Sequence, residues 1–459
     1  MMKFKKLIPI IACLPLASVV AACASPSVPV TESQTALTTE ATQSQNSEKE
    51  TEKVMTGDEQ FNEYLHLLDG KRVALFTNHT GIVGDETSAT GKENADTHFG
   101  TDSDGNEIKY GEHILDALLA RNVNVAAVFS PEHGFRGTED AGSDVDNTVD
   151  EKTGVPLLSL YKDDDTHSPS QEDMDKFDTL VVDMQDVGLR YYTYYISMYY
   201  LMDACAANGK EVIILDRPNP NGFYVDGPVL QDEYKSNVGQ LPIPIVYGMT
   251  WGELGRMING EGWLAAGKDS CNLTVIPCKN YTHSTETRLI RNPSPNIKDM
   301  RAVYLYASTC FFENTQMSVA RGTDFPFEAY GSPYLKGVKG FEFTFTPKSM
   351  SGALEPPFMD ETCYGEDLRG IPIDEIKSSG INVGYLVRAY NAYKETGRQE
   401  YFWGEPDAEG KYWIDKLSGS DGLRKMVDEG KSAEEIKASW QSDINRFKEA
   451  RKPYLLYEE

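Results

Sequence analysis

The sequence predicts an α/β protein, and three observations carry that expectation. From about Thr56 short apolar runs alternate with amphipathic ones, as in a parallel sheet covered by helices. Polar residues collect directly after each apolar run, as at the carboxyl ends of strands in an open sheet. At 459 residues the chain exceeds one ordinary domain and suffices for two cores. The expected architecture is a Rossmann-like parallel-sheet domain over residues 56–281 with a second, smaller α+β domain over residues 282–459 closing a cleft.

In order along the chain, "RVALFTNHTG" (72–81) is a first strand and "HILDALLARN" (113–122) a helix with apolar residues at helical spacing. "VNVAAVFS" and "VPLLSLYK" are the second and third strands. "SQEDMDKF" is a short helix with Ser170 as N-cap and acids in its first turn. "TLVVDMQDVG" is the fourth strand, "YTYYISMYYLMDACAANG" a long helix stopping at Gly209, and "EVIILDRPNPNG" the fifth strand. "TWGELGRMINGEGWL" reads as a helix capped by Thr250. Beyond residue 282, "AVYLYAS" and "FEFTFTPKS" read as strands, whereas "NVGYLVRAYNAYKETG" and the segment from Ser432 to Tyr457 read as helical.

The amino terminus has a different composition. Lys3, Lys5 and Lys6 precede the apolar "LIPIIACLPLASVVAA", too short to span a bilayer comfortably. It ends in Val20-Ala21-Ala22-Cys23, similar to a bacterial lipobox, so residues 1–23 are expected to be a lipoprotein signal peptide with Cys23 lipidated. Residues 24–55, rich in Ser, Thr, Gln and Glu with no aromatic residue, cannot offset their ordering entropy by burial and are expected to form a tether. The expected location is therefore outside the cell, on a membrane surface.

The net charge of −27 argues against nucleic acid as a partner. Beyond Cys13 and Cys23 the cysteines are Cys205, Cys271, Cys278, Cys310 and Cys363, scattered and without a C-x-x-C, so buried free thiols are expected. "TGIVGDETSATG" lacks the glycine spacing that admits a pyrophosphate, which argues against a nicotinamide or flavin cofactor. No G-x-S-x-G or H-E-x-x-H occurs, and "DSDGNE" breaks the calcium-loop pattern at Glu107 and His113. No metal or other cofactor is expected.

Carboxylate chemistry remains. The strand ends bring forward Asn78 and His79, then Glu132 and His133, then Tyr161, then Asp183 and Asp186, and finally Asp216, Arg217 and Asn219. Together they predict a polar cleft. Glu132 follows a wholly apolar strand, with His133 and Arg136 placed to orient it or its substrate. A second dense stretch, "TCFFENTQMSVARGTDFPFEAYGSP" (309–333), holds Glu313, Arg321 and Asp324. A third, "DMQDVGLRYYTYYISMYY", concentrates tyrosines around Tyr192, some of which are expected to line a cleft where sugar rings stack.

"SPEHGFRG", "VVDMQDVGLRYYTY", "LDRPNPNG…VDGPVL" and "FEN…SVARGTDFPFE…GSP" together resemble the motifs of the NamZ-type exo-β-N-acetylmuramidases, long classed as a domain of unknown function. The likeness runs from about Asp69 to the carboxyl terminus. It implies an active site between the two domains and release of N-acetylmuramic acid from the non-reducing end of peptidoglycan fragments. The family's E-H-G acid falls on Glu132 and its F-E-x-T glutamate on Glu313. Asn314 and Ala320 stand where glycines are expected, so the backbone there is a point of departure. Glu132 is expected to be the general acid, with Glu313 or an aspartate of "DMQD" as partner, while the resemblance leaves the division of roles between the two glutamates open. The substrate's lactyl carboxylate calls for a cation from Arg136, Arg190, Arg217 or Arg321. A tethered sugar- or muropeptide-binding lipoprotein without hydrolytic activity is the alternative from another class.

Overall fold

The computed structural model describes residues 53–83, 112–131, 135, 147–160, 168–265, 270–289 and 291–459. From residue 52 onward they form one compact body. Cys23, Glu132, His133, Arg136 and Tyr161 lie outside the described residues, as does the expected tether to residue 52.

Seven strands make the main sheet: β1 (Arg72–Phe76), β2 (Asn124–Ser130), β3 (Thr148–Val149), β4 (Pro156–Ser159), β5 (Thr179–Val182), β6 (Glu211–Leu215) and β7 (Asn272–Ile276). Their spatial order is β3-β4-β2-β1-β5-β6-β7, parallel except for β3 against β4. The six parallel strands thus follow the doubly wound order 3-2-1-4-5-6, which reverses between β1 and β5. Beyond the five strands read in succession, β7 is the strand-like "NLTVI" run between Cys271 and Cys278, and β3 was not expected. A small antiparallel sheet is built from β8 (Ala329–Ser332), β9 (Phe343–Phe345) and β10 (Cys363–Asp367), with β10 in the middle.

Twelve α-helical segments surround these sheets among the described residues. Six belong to the first part or its boundary: α1 (Phe61–Tyr64), α2 (Ile114–Ala120), α3 (Gln171–Met174), α4 (Tyr194–Ala207), α5 (Trp251–Gly260) and α6 (Met300–Thr309). The rest follow β10: α7 (Ile373–Ser379), α8 (Gly384–Glu395), α9 (Trp413–Ser418), α10 (Gly422–Asp428), α11 (Ala433–Ser439) and α12 (Gln441–Arg451). None is long and apolar enough to cross a membrane. The expected caps are present: Ser170 and Thr250 accept from the backbone N–H of Asp173 and Glu253, and each pair closes a capping box.

One expectation is corrected here. "AVYLYAS" is not a strand but the body of α6, started by Asp299, whose side chain accepts from the Ala302 N–H. All ten residues of α6 are buried, and Val303, Tyr304 and Tyr306 bias a local reading toward a strand. Tyr191 and Tyr192 before α4, and Tyr194, Tyr195 and Tyr199 on it, are all buried; Tyr191 and Tyr194 donate to the Ala307 and Pro293 carbonyls, and Tyr199 to that of Trp263. One hydrophobic cluster runs from Ala74 and Phe76 through α4 and α6 to Trp440 and Phe447, so both sheets share a core. Phe76 stacks on Trp251 at 6.1 Å, tying β1 to α5. Cys205, Cys271, Cys278, Cys310 and Cys363 are free and buried, as expected.

Candidate active site

In a doubly wound sheet the crevice opens where the strand order reverses, here at the ends of β1 and β5. The chain fills that place with its own ions. Arg217 donates from Nε to Asp183 Oδ1 at 2.6 Å and from Nη2 to Asp58 Oδ2 at 2.8 Å, and both aspartate side chains are fully buried. Burial raises the Asp58 carboxyl to about 6, against the opposing pull of Arg217. Asn78 turns inward and accepts from the Thr80 N–H at 2.9 Å and hydroxyl at 2.6 Å.

The other described strand-end residues are likewise engaged by the protein. Asp216 accepts from the Thr250 hydroxyl, the Tyr457 hydroxyl and the Gly252 N–H, fastening the start of α5; burial raises it to about 6. Asp186 accepts from the Tyr247 hydroxyl at 2.5 Å and the Gly188 N–H at 2.8 Å, and burial raises it too to about 6. Asn219 bridges the Asn221 N–H and the Met249 carbonyl. It packs so tightly on Gly188 (φ +75°) that a Cβ there would meet its Oδ1 at 2.0 Å. Arg190 is fully buried and donates to three carbonyls, of Pro228, Ile243 and Leu417, at 2.7–2.8 Å. Asp186, Arg217 and Asn219 share only a recess of ≈ 10 Å³, room for one water. Asp324 points outward, its side chain 89% exposed.

The large cavity lies elsewhere, where the start of α4 meets the segment after α6. It encloses ≈ 690 Å³, within the usual range of small-molecule sites. Tyr191, Tyr192, Tyr194, Tyr306 and Phe327 supply aromatic walls, Asn237 and Ser294 polar atoms, and Gly352–Pro357 and Trp413 further lining. Tyr192 and Tyr194 are held by donating to the Pro293 carbonyl at 2.7 and 2.9 Å. Burial pushes the Tyr191, Tyr192 and Tyr306 phenols well above their ordinary range, so they stay neutral.

Glu313 and Arg321 enter this cavity from one loop. After α6 a 3-10 turn over Cys310–Phe312 hands the chain to Glu313, and Asn314 then reverses it with φ +56°. The Thr315 hydroxyl donates to the Phe312 carbonyl at 2.6 Å, and the Phe327 N–H donates to the Val319 carbonyl at 2.7 Å. Ala320, at φ +61°, makes the second reversal. The two residues that stand where glycines are expected therefore adopt the left-handed conformation that favours glycine; asparagine tolerates it, and alanine is strained there by about 1–2 kcal/mol. Arg321 folds back onto Glu313 with two bonds, Nε to Oε1 at 2.6 Å and Nη2 to Oε2 at 3.2 Å, and its guanidinium lies 4.9 Å from the Phe327 ring. Burial works against the Arg321 charge, but Glu313 more than offsets this and raises its pKa.

The structure thus brings Tyr192, Glu313 and Arg321 to one cavity. It leaves Asn78, Asp183, Asp186, Arg190, Asp216, Arg217, Asn219 and Asp324 out of that cavity's lining. Pro131 and Phe135, described neighbours of Glu132 and His133, are buried beyond the end of β2, with the Phe135 ring 5.1 Å from His113. Trp413, Tyr306, Asn237 and Glu355 line the cavity without having been singled out from sequence. Trp413 opens a short helix about ninety residues from Arg321, and no local pattern marks it.

Comparison with known proteins gives a consistent picture. Two family models match, "Exo-beta-N-acetylmuramidase NamZ, N-terminal" over residues 73–301 and its C-terminal counterpart over residues 304–457. The peptidoglycan beta-N-acetylmuramidase NamZ of Bacillus subtilis (strain 168) is 33% identical over 430 residues, covering 90% of this chain and 94% of the relative. Two crystal structures of DUF1343 family proteins from Bacteroides fragilis NCTC 9343 are also similar. One has 48% identity and a TM-score of 0.74, the other 27% and 0.69; each match covers 88% of this chain and 99% of the other.

Proposed function

The chain belongs to the NamZ exo-beta-N-acetylmuramidase family and is a glycosidase of the peptidoglycan class, and from that premise we propose that it releases N-acetylmuramic acid from the non-reducing end of peptidoglycan fragments by carboxylate catalysis. The observation that carries the reading is the Glu313–Arg321 pair in the wall of a ≈ 690 Å³ cavity lined with tyrosines and Trp413. Aromatic faces suit the apolar faces of sugar rings, and a carboxylate beside them suits the positive charge that develops at an anomeric carbon.

The same pair suggests how the work divides. A guanidinium that grips both oxygens pairs with a carboxylate anion. Glu313 is thereby suited to the anionic role of nucleophile, base or charge stabiliser, and general acid catalysis falls to Glu132. Arg321 is the one cation among the described residues that line the cavity, so it is also the candidate to meet the lactyl carboxylate of the sugar.

Replacing Glu132 by Gln or Glu313 by Gln is expected to slow turnover of a chromogenic N-acetylmuramide by about a hundredfold or more. The E132Q protein should keep the wild-type thermal melt. Near-normal turnover by E132Q would contradict its role as acid, and near-normal turnover by E313Q would remove the carboxylate that anchors the reading.

The proposal extends to location. Lipidation at Cys23 after Val20-Ala21-Ala22 would hold the enzyme outside the cell on a membrane, with residues 24–55 as tether. It rests on the sequence of that segment alone.

A further inference from the structure

A second recess, on the C-terminal half, lies apart from the cavity of Glu313 and Arg321. It encloses ≈ 240 Å³ and is lined by Gln316, Tyr334, Tyr393, Arg398, Tyr401 and Glu405, with Gly404 between the last two. Tyr334 and Tyr401 are 41% and 56% exposed, two of only seven large hydrophobic side chains so exposed among the described residues. Large exposed rings gathered at one recess mark an interaction site more often than rings scattered singly.

Tyr393 and Tyr334 are also held in place. The Tyr393 hydroxyl donates to the Gln316 carbonyl at 2.5 Å and lies 2.6 Å from the Ser332 hydroxyl. Tyr334 meets Tyr393 and Phe358 edge-on at 6.2 and 6.1 Å, and the Arg398 guanidinium lies 4.7 Å from its centroid. A ligand here would pay little to order Tyr334 and Tyr393.

We propose that this recess binds one hexosamine ring of a glycan chain. Its volume suits a single pyranose rather than an extended chain. The tyrosine faces fit the C–H face of the sugar, and Gln316, Arg398 and Glu405 offer donors and acceptors to its hydroxyl and acetamido groups. The recess shares its wall with the catalytic loop. Gln316 lies between Glu313 and Arg321 in sequence and donates its N–H to the Phe402 carbonyl at 2.9 Å. Gly404 approaches the Asn314 carbonyl so closely that a Cβ would sit 2.5 Å from it. A chain gripped here is kept beside the loop that carries Glu313. The choice of a glycan as occupant rests on the proposed hydrolase reading.

The test titrates wild type, Tyr334→Ala/Tyr401→Ala and Tyr334→Phe/Tyr401→Phe with the trisaccharide of N-acetylglucosamine by ligand-observed NMR. Turnover of a small chromogenic N-acetylmuramide is measured in parallel. The alanine pair should bind the trisaccharide about tenfold or more weakly. The phenylalanine pair should retain wild-type affinity, and both should turn over the small glycoside normally. Equal affinity of wild type and the alanine pair, or no binding by wild type, overturns the proposal. A wild type that binds the trisaccharide but leaves the small glycoside intact sinks the hydrolase reading while the recess stands.

Discussion

Asp186 shows what burial does to a single acid in this protein. Its Oδ2 accepts from Tyr247 and Gly188, and burial lifts its pKa from 3.8 to about 6. An acid whose folded pKa lies above its unfolded value binds its proton more tightly when folded. Its stabilising contribution is full below about pH 4, declines as pH rises toward 6, and is gone above that. Asp216 acts in the same direction over the same window. Urea unfolding of wild type and Asp186→Asn between pH 4 and 7 isolates the group. The variant should lose up to about 1.4 kcal/mol per pH unit of the decline. An identical slope in the two proteins would mean that Asp186 is charged in the fold throughout. Arg190 illustrates the same lesson for a cation, since its three carbonyl partners make it an internal brace.

At the scale of elements, the start of α5 is bound to the far end of the chain. The Tyr457 hydroxyl donates to Asp216 Oδ2 at 2.6 Å and accepts from the Cys278 N–H at 2.9 Å. Glu253, third residue of α5, accepts from the Leu456 N–H at 2.8 Å and faces His283 Nε2 at 3.0 Å. Tyr457→Phe should therefore cost about 1–3 kcal/mol in denaturant unfolding, because two buried polar groups lose a partner. A change below about 0.5 kcal/mol would show that the strap contributes little. The caps at Ser170 and Thr250 were legible in sequence because a cap and its partner lie three residues apart. The partners of Asp216 and Glu253 at Leu456 and Tyr457 were not, since no local pattern joins residues two hundred positions apart. Helix α6 was misread for a related reason: Val303, Tyr304 and Tyr306 favour a strand locally, and the packing that buries it on every side is tertiary.

For the molecule as a whole, the class of fold followed from sequence, as did the family, whose motifs lie in continuous stretches. Polar strand ends suggested one cleft across the sheet, and among the described residues Asp58, Asp183 and Arg217 form a buried ion triad there. A large cavity lies where the start of α4 meets the loop after α6, and Glu313 and Arg321 were visible there because one stretch of chain holds both. Trp413 and Asn237 reach the same cavity only through the tertiary fold. The central claim is that this cavity serves removal of a terminal N-acetylmuramic acid. Its most direct test is to incubate the full chain with the disaccharide N-acetylmuramyl-β-1,4-N-acetylglucosamine and measure free sugars. The account predicts equimolar N-acetylmuramic acid and N-acetylglucosamine from wild type; an intact disaccharide after prolonged incubation with folded wild type would contradict it.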